Sequence, residues 1–118
     1  MKNIKSVLLI ITISFFAITV GACKKCKNQD PQARIINNGS SKASVQIKTS
    51  GGNTVNINNV DPGTASSYSS YAAGQVTFTI TENNNSYVKV VDMSQCYEYD
   101  IAIDASNNIT ATAIDRNK

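Results

Sequence analysis

Residues 75–81, Gln75-Val76-Thr77-Phe78-Thr79-Ile80-Thr81, alternate polar and apolar side chains without a break. Only an extended chain puts Val76, Phe78 and Ile80 on one face and the three threonines on the other, so this segment must be a half-buried strand. Weaker copies of the pattern recur along the chain. Val45 and Ile47 alternate within 43–49, and Val55 and Ile57 within 53–58. In 96–104, Tyr97, Tyr99, Ile101 and Ile103 share one face, while Cys96, Glu98, Asp100, Ala102 and Asp104 share the other. Arg34-Ile35-Ile36, Tyr87–Val91 and Ile109–Ile114 complete the set, with Ser66–Tyr71 as a weaker edge candidate. The segments between them are built for turns: Asn37-Asn38-Gly39-Ser40, Gly51-Gly52-Asn53, Asp61-Pro62-Gly63, Ala73-Gly74, Asn83-Asn84-Asn85 and Asn107-Asn108. Gly and Asn tolerate positive φ, and Pro pre-sets φ for a turn. No helical period stands out after residue 22. The sequence predicts an all-β domain over 33–118, a small antiparallel β-sandwich or barrel of seven to eight short strands.

The first 22 residues obey a different rule. A short basic start, Lys2 to Lys5, leads into an apolar run from Val7 to Val20, and Gly21-Ala22 follows. These are the parts of a secretory signal peptide. As a helix the run of 14 residues spans about 21 Å, short of the roughly 30 Å of a bilayer core. The junction Val20-Gly21-Ala22-Cys23 resembles the lipobox of bacterial lipoproteins. The resemblance implies that residues 1–22 are cleaved, that Cys23 is acylated, and that 23–32 form a lipidated tether. It also implies the membrane as a partner, reached through the lipid on Cys23. In that family an Asp after the lipidated Cys favours inner-membrane retention. Lys24 stands there here, which implies the outer membrane of a Gram-negative cell and leaves the periplasmic or surface face open.

Lipid on Cys23 turns an odd cysteine count into an even one. Cys26 and Cys96 then either form a disulfide, which the oxidising envelope permits, or remain two thiols, with Cys96 buried as a small apolar residue. A Cys23-x-x-Cys26 redox or metal motif loses one thiol to the lipid. Charge also redistributes. The whole chain carries +3, but from Asn28 onward 6 basic residues face 8 acidic ones. A slightly acidic body has no nucleic-acid footprint. Lys24, Lys25 and Lys27 lie beside the anchor, where anionic head groups would meet them.

A second resemblance covers most of the body. Ala33-Arg34-Ile35-Ile36-Asn37-Asn38, Val45-Gln46-Ile47, Val60-Asp61-Pro62-Gly63, Ser67-Tyr68 and Ala73-Gly74 fall in the order of markers of a domain family of unknown function. That family is common in secreted and lipid-anchored bacterial proteins. The similarity implies an immunoglobulin-like or transthyretin-like β-sandwich and carries no activity with it.

Candidate chemistry is sparse. With no His among 118 residues, a Ser-His-Asp triad, a Cys-His dyad and a His-ligated metal site are excluded. The serines at 66, 67, 69 and 70 have no Ser-x-x-Lys partner to activate them. Glu98 and Asp100 share a strand face and form the one carboxylate pair a small hydrolase would use. A lone strand offers too few oxygens for Ca²⁺, and a solvated, charged face explains the residues as well. Tyr68 and Tyr71 lie in a small, polar segment and are the candidate surface patch for binding. Tyr97 and Tyr99 align with the core. Three Asn-x-Ser/Thr triplets, at Asn38, Asn84 and Asn108, read as turn chemistry. The sequence thus predicts an envelope lipoprotein that is not an enzyme, without cofactor or metal. Its role would be binding or structural, towards an envelope protein or glycan, with an adhesin or pilus-type subunit assembling by strand addition as the alternative.

Overall fold

The computed structural model describes residues 26–117. The expected signal segment, with Cys23, Lys24 and Lys25, lies outside the described residues. Nine strands form two stacked sheets: β1 (Gln32–Asn38), β2 (Ala43–Lys48), β3 (Thr54–Val60), β4 (Thr64–Ala65), β5 (Ser69–Ser70), β6 (Gly74–Glu82), β7 (Asn85–Met93), β8 (Tyr97–Asp104) and β9 (Ile109–Asp115). Among the described residues there is no helix. The first sheet runs β4-β1-β8-β9, with β5 also on the outer side of β1, and the second runs β3-β2-β6-β7. The expected all-β sandwich is the fold. It has one strand more than expected, because the weak segment around 64–70 contributes two two-residue strands rather than one edge strand.

Period-2 alternation places the core where the sequence pattern put it. Ala33 and Ile35 of β1, Val45 and Ile47 of β2, Val76, Phe78 and Ile80 of β6, Val91 and Met93 of β7, and Tyr99, Ile101 and Ile103 of β8 all point between the sheets and are buried. β3 shows how a break in period is absorbed. Val55, Ile57 and Val60 cannot share a face in a regular strand, since the last step is odd. A bulge opposite Ala43–Val45 inserts one residue, Asn59 takes φ 60°, and Val60 turns into the core against Ala43. The β6–β7 hairpin closes through Asn83-Asn84, both at positive φ (49° and 64°), which is the type I′ geometry that matches strand twist. Asp61-Pro62-Gly63-Thr64 closes with Thr64 N donating to Asp61 O at 3.1 Å, Pro62 at the second position and Gly63 at φ 76°, a type II turn.

One pairing departs from an antiparallel sandwich. β1 lies parallel to β8, in register from Gln32 opposite Glu98 to Asn38 opposite Asp104. Both strands therefore start at the same end of the molecule. Cys26, ahead of β1, is disulfide-bonded there to Cys96, ahead of β8, with Cα atoms 5.6 Å apart. Cys96 N donates to Gln29 O at 2.9 Å, and Tyr71 N donates to Pro31 O at 3.0 Å, so the chain is bound to the body from Cys26 onward.

The two ends of the sandwich are distinct. The chain enters beside the loops 49–53, 71–73 and 94–96; the opposite end carries the loops 39–42, 61–63, 83–84 and 105–108. The bridge closes a sequence separation of 70 residues, so constraint of the unfolded chain should stabilise the fold by about 2–4 kcal/mol. Chemical denaturation with and without reductant should show a loss in that range, matched by the Cys26→Ser/Cys96→Ser variant. An unchanged midpoint would count against the bridge.

Candidate functional site

The outer face of the first sheet carries a polar cluster formed by residues 66 positions apart. Parallel register sets Arg34 of β1 directly opposite Asp100 of β8. Arg34 Nε donates to Asp100 Oδ1 at 2.9 Å and its terminal nitrogen donates to Oδ2 at 3.3 Å, a two-point ion pair. The third member comes from the interrupted edge. β4 and β5 pair with β1 on either side of a gap in which three residues, Ser66, Ser67 and Tyr68, oppose two, Arg34 and Ile35. Ser66 holds the ladder across this gap: its N donates to Ile35 O at 2.8 Å, and its Oγ accepts from Ile35 N at 2.9 Å. The extra residue swings Tyr68 over the sheet. Its ring lies 4.8 Å from the Arg34 guanidinium carbon, and its hydroxyl donates to Asp100 Oδ1 at 2.6 Å.

The electrostatics follow from these contacts. The Arg34 hydrogen bond holds the Asp100 carboxyl below the usual carboxylate range, with the Tyr68 hydroxyl adding to it against burial. Tyr68 is pushed up to about 12, first by desolvation and then by its bond to Asp100. Glu98, two residues before Asp100, lies 3.6 Å from Arg116. The two carboxylates of the expected pair thus each face their own guanidinium. Asp100 is held ionised between Arg34 and Tyr68.

The Tyr68–Tyr71 patch needs correction. Tyr68 is partly covered and engaged with Arg34 and Asp100, while Tyr71 is 5% exposed and belongs to the core cluster. Three positions is an odd step, so an extended chain sends the two rings to opposite faces. Burial pushes the Tyr71 phenol up as well.

A second polar group, unforeseen from the sequence, sits at the end opposite chain entry. Asn37 follows Ala33 and Ile35 in the alternation and is fully buried. Its amide donates to Ser41 O at 2.7 Å and to Val60 O at 2.8 Å, and its oxygen accepts from Gly39 N at 2.9 Å. One side chain thereby ties loop 39–42 to the end of β3. Asn83 Nδ2 donates to Ser41 Oγ at 2.9 Å, and Lys42 lies 3.9 Å from Asp61, so loops 39–42, 61–63 and 83–84 are knit together. Beneath them Glu82, the next inward position after Ile80, is 5% exposed. Among the described residues its Oε1 has no hydrogen-bond partner. A Cβ on Gly39 would come within 3.0 Å of Glu82 Oε1 and 3.1 Å of Asn37 Oδ1, so glycine is what lets this carboxylate and amide close under the loop.

Neither polar group converges on a metal: among the described residues no set of three His, Cys, Asp or Glu is placed to hold one. Sequence alternation could have flagged Asn37 and Glu82 as inward, since each extends an apolar stripe. Nothing local marks Arg34, whose partner is 66 residues away.

Two expectations follow. Tyr68 has its folded value raised from near 10 to about 12, so its contribution to stability is complete below pH ~10 and is lost as pH rises through the folded value. Tyr68→Phe should remove one late-ionising phenol from an ultraviolet titration and part of the alkaline loss of stability. Glu82→Gln keeps the shape, removes a desolvated carboxylate and adds a donor beside Asn37. It should raise stability by about 1 kcal/mol, read from the denaturation midpoint.

No protein-family model matches this chain and no curated protein matches it, so the functional reading rests on the residues themselves.

Proposed function

We propose that this chain is a lipid-anchored envelope protein, acylated at Cys23, that presents a small β-sandwich for a non-enzymatic binding or structural role. The observation that carries the reading is the Cys26–Cys96 bridge. A disulfide belongs to an oxidising, extracytoplasmic setting. Its use of the second and third cysteines also leaves Cys23 as the one thiol for the lipid that the lipobox-like junction calls for. Lys24 supports the outer membrane as the destination. The engagement of Glu98 and Asp100 by separate arginines favours a structural role for those carboxylates over hydrolysis. The loops at the end opposite chain entry supply the exposed amide, hydroxyl and carboxylate groups with which such a domain would meet an envelope protein or glycan.

Assembly by strand addition is the second reading, and one feature favours it. β9 is a seven-residue edge strand with no charge from Ile109 to Ile114. In the second sheet β3 is likewise a seven-residue edge without charge, whereas the β7 edge carries Lys89 in its core-facing alternation, a charge that opposes pairing with another strand.

Intact mass of the protein extracted from membranes should show a diacylated or triacylated chain beginning at Cys23. A soluble product with an unmodified Cys23, or one that begins elsewhere, would overturn the lipoprotein reading.

A further inference from the structure

We infer that the disulfide orients the domain on the lipid surface. The end carrying loops 49–53, 71–73 and 94–96 faces the membrane, and loops 39–42, 61–63, 83–84 and 105–108 form the outward, partner-facing end. The inference rests on acylation of Cys23.

The argument is one of leash length against domain height. From Cys23 to Cys26 is three residues, at most about 11 Å of extended chain. Cys26 is covalently fixed beside Cys96, where β8 begins. The strands of the sandwich run seven to nine residues in β1, β6, β7 and β8, or about 23–30 Å. A leash less than half the height of the body keeps the entry end against the head groups and holds the far end a strand length away. Without the bridge the first contact of the chain with the body is Gln29 O on Cys96 N, six residues from Cys23. The leash would then double to about 22 Å, comparable with the body, and the domain could roll.

Charge in the tether runs the same way. Lys24, Lys25 and Lys27 surround the anchor, while Arg116 and Lys48 lie at the entry end of the body, among Asp30, Asp92, Glu98 and Asp115. At the far end Lys42 stands alone against Asp61, Glu82 and Asp104. The two ends of the body are thus equally acidic, and the three tether lysines are what draws the bridged end to anionic lipid. At the far end three of the loops, 39–42, 61–63 and 83–84, are tied to one another through Asn37, Ser41, Asn83 and the Lys42–Asp61 pair. Loops held by such bonds have less ordering entropy to lose when a partner binds.

The chain has no Trp, so single tryptophans report position directly. Reporters at the entry end are Gln95→Trp and Gly51→Trp; a side chain at Gly51 meets nothing within 4 Å. Reporters at the far end are Ser106→Trp and Ser40→Trp, both at exposed positions. The lipidated full chain is reconstituted in vesicles of phosphatidylethanolamine and phosphatidylglycerol doped with head-group spin-labelled lipid. Quenching should be several-fold stronger for the entry-end pair than for the far-end pair. The contrast should collapse in the Cys26→Ser/Cys96→Ser background. Equal or reversed quenching overturns the orientation, and a contrast that survives loss of the bridge overturns the disulfide as its cause. Failure of the lipoprotein reading is separate: it shows as an unacylated Cys23 in the mass of the same preparation.

Discussion

Everything in the first sheet depends on the parallel pairing of β1 with β8. β1 has ladders on both sides, to β8 on one and to β4 and β5 on the other. It joins strands that are distant in sequence, so the ordering entropy is spent before the contacts are gained. The structure offsets that cost in several places along the same pair. The disulfide holds the starts of both strands together. Ala33, Ile35, Ile101 and Ile103 bury the inner face. Arg34 and Asp100 lock the register on the outer face with two hydrogen bonds to one carboxylate. A slip of β1 by one residue against β8 would lose this ion pair and turn Ala33 and Ile35 to the outer face.

The same pairing makes the molecule polar end to end. With β1 and β8 starting together, chain entry, the bridge and the β7–β8 crossing gather at one end, and the Asn-rich turns gather at the other. The two polar groups divide along this axis. The Arg34–Asp100–Tyr68 cluster braces the outer sheet face and closes the interruption between β4 and β5. Asn37 and Glu82 lie inside the far end and shape the loops above them. Asn37 meets the cost of burial by using both donors and its acceptor, whereas Glu82 Oε1 has no hydrogen-bond partner among the described residues. The contrast separates a structural amide from a carboxylate whose burial is a cost to the fold.

How much was legible depends on whether the information is local. Strand positions were, because a period of two needs only neighbours: Val76, Phe78 and Ile80 point inward wherever that strand is placed. Turns were, because Asn83-Asn84 and Pro62-Gly63 carry their own backbone preferences. The inward direction of Asn37 and Glu82 was written in the same alternation, though their polarity hid it. Composition alone puts Tyr68 and Tyr71 in one patch, whereas the odd step between them sends the rings to opposite faces. The partnership of Arg34 with Asp100 was not legible, since the choice of neighbour and the parallel direction arise from sheet order, and sheet order is a property of the whole chain.

The sequence by itself determined an all-β body, the spacing of its strands, the inner and outer face of each, and a cysteine count that becomes even once Cys23 is set aside. These follow from side-chain period and turn conformation, which act over a few residues. Only the tertiary structure decided that β1 runs parallel to β8, that Cys26 meets Cys96, that Tyr71 is core while Tyr68 serves an ion pair, and that one end receives the chain while the other presents locked loops. Those outcomes rest on which surfaces pack together to exclude water, and no short stretch of chain specifies that choice alone.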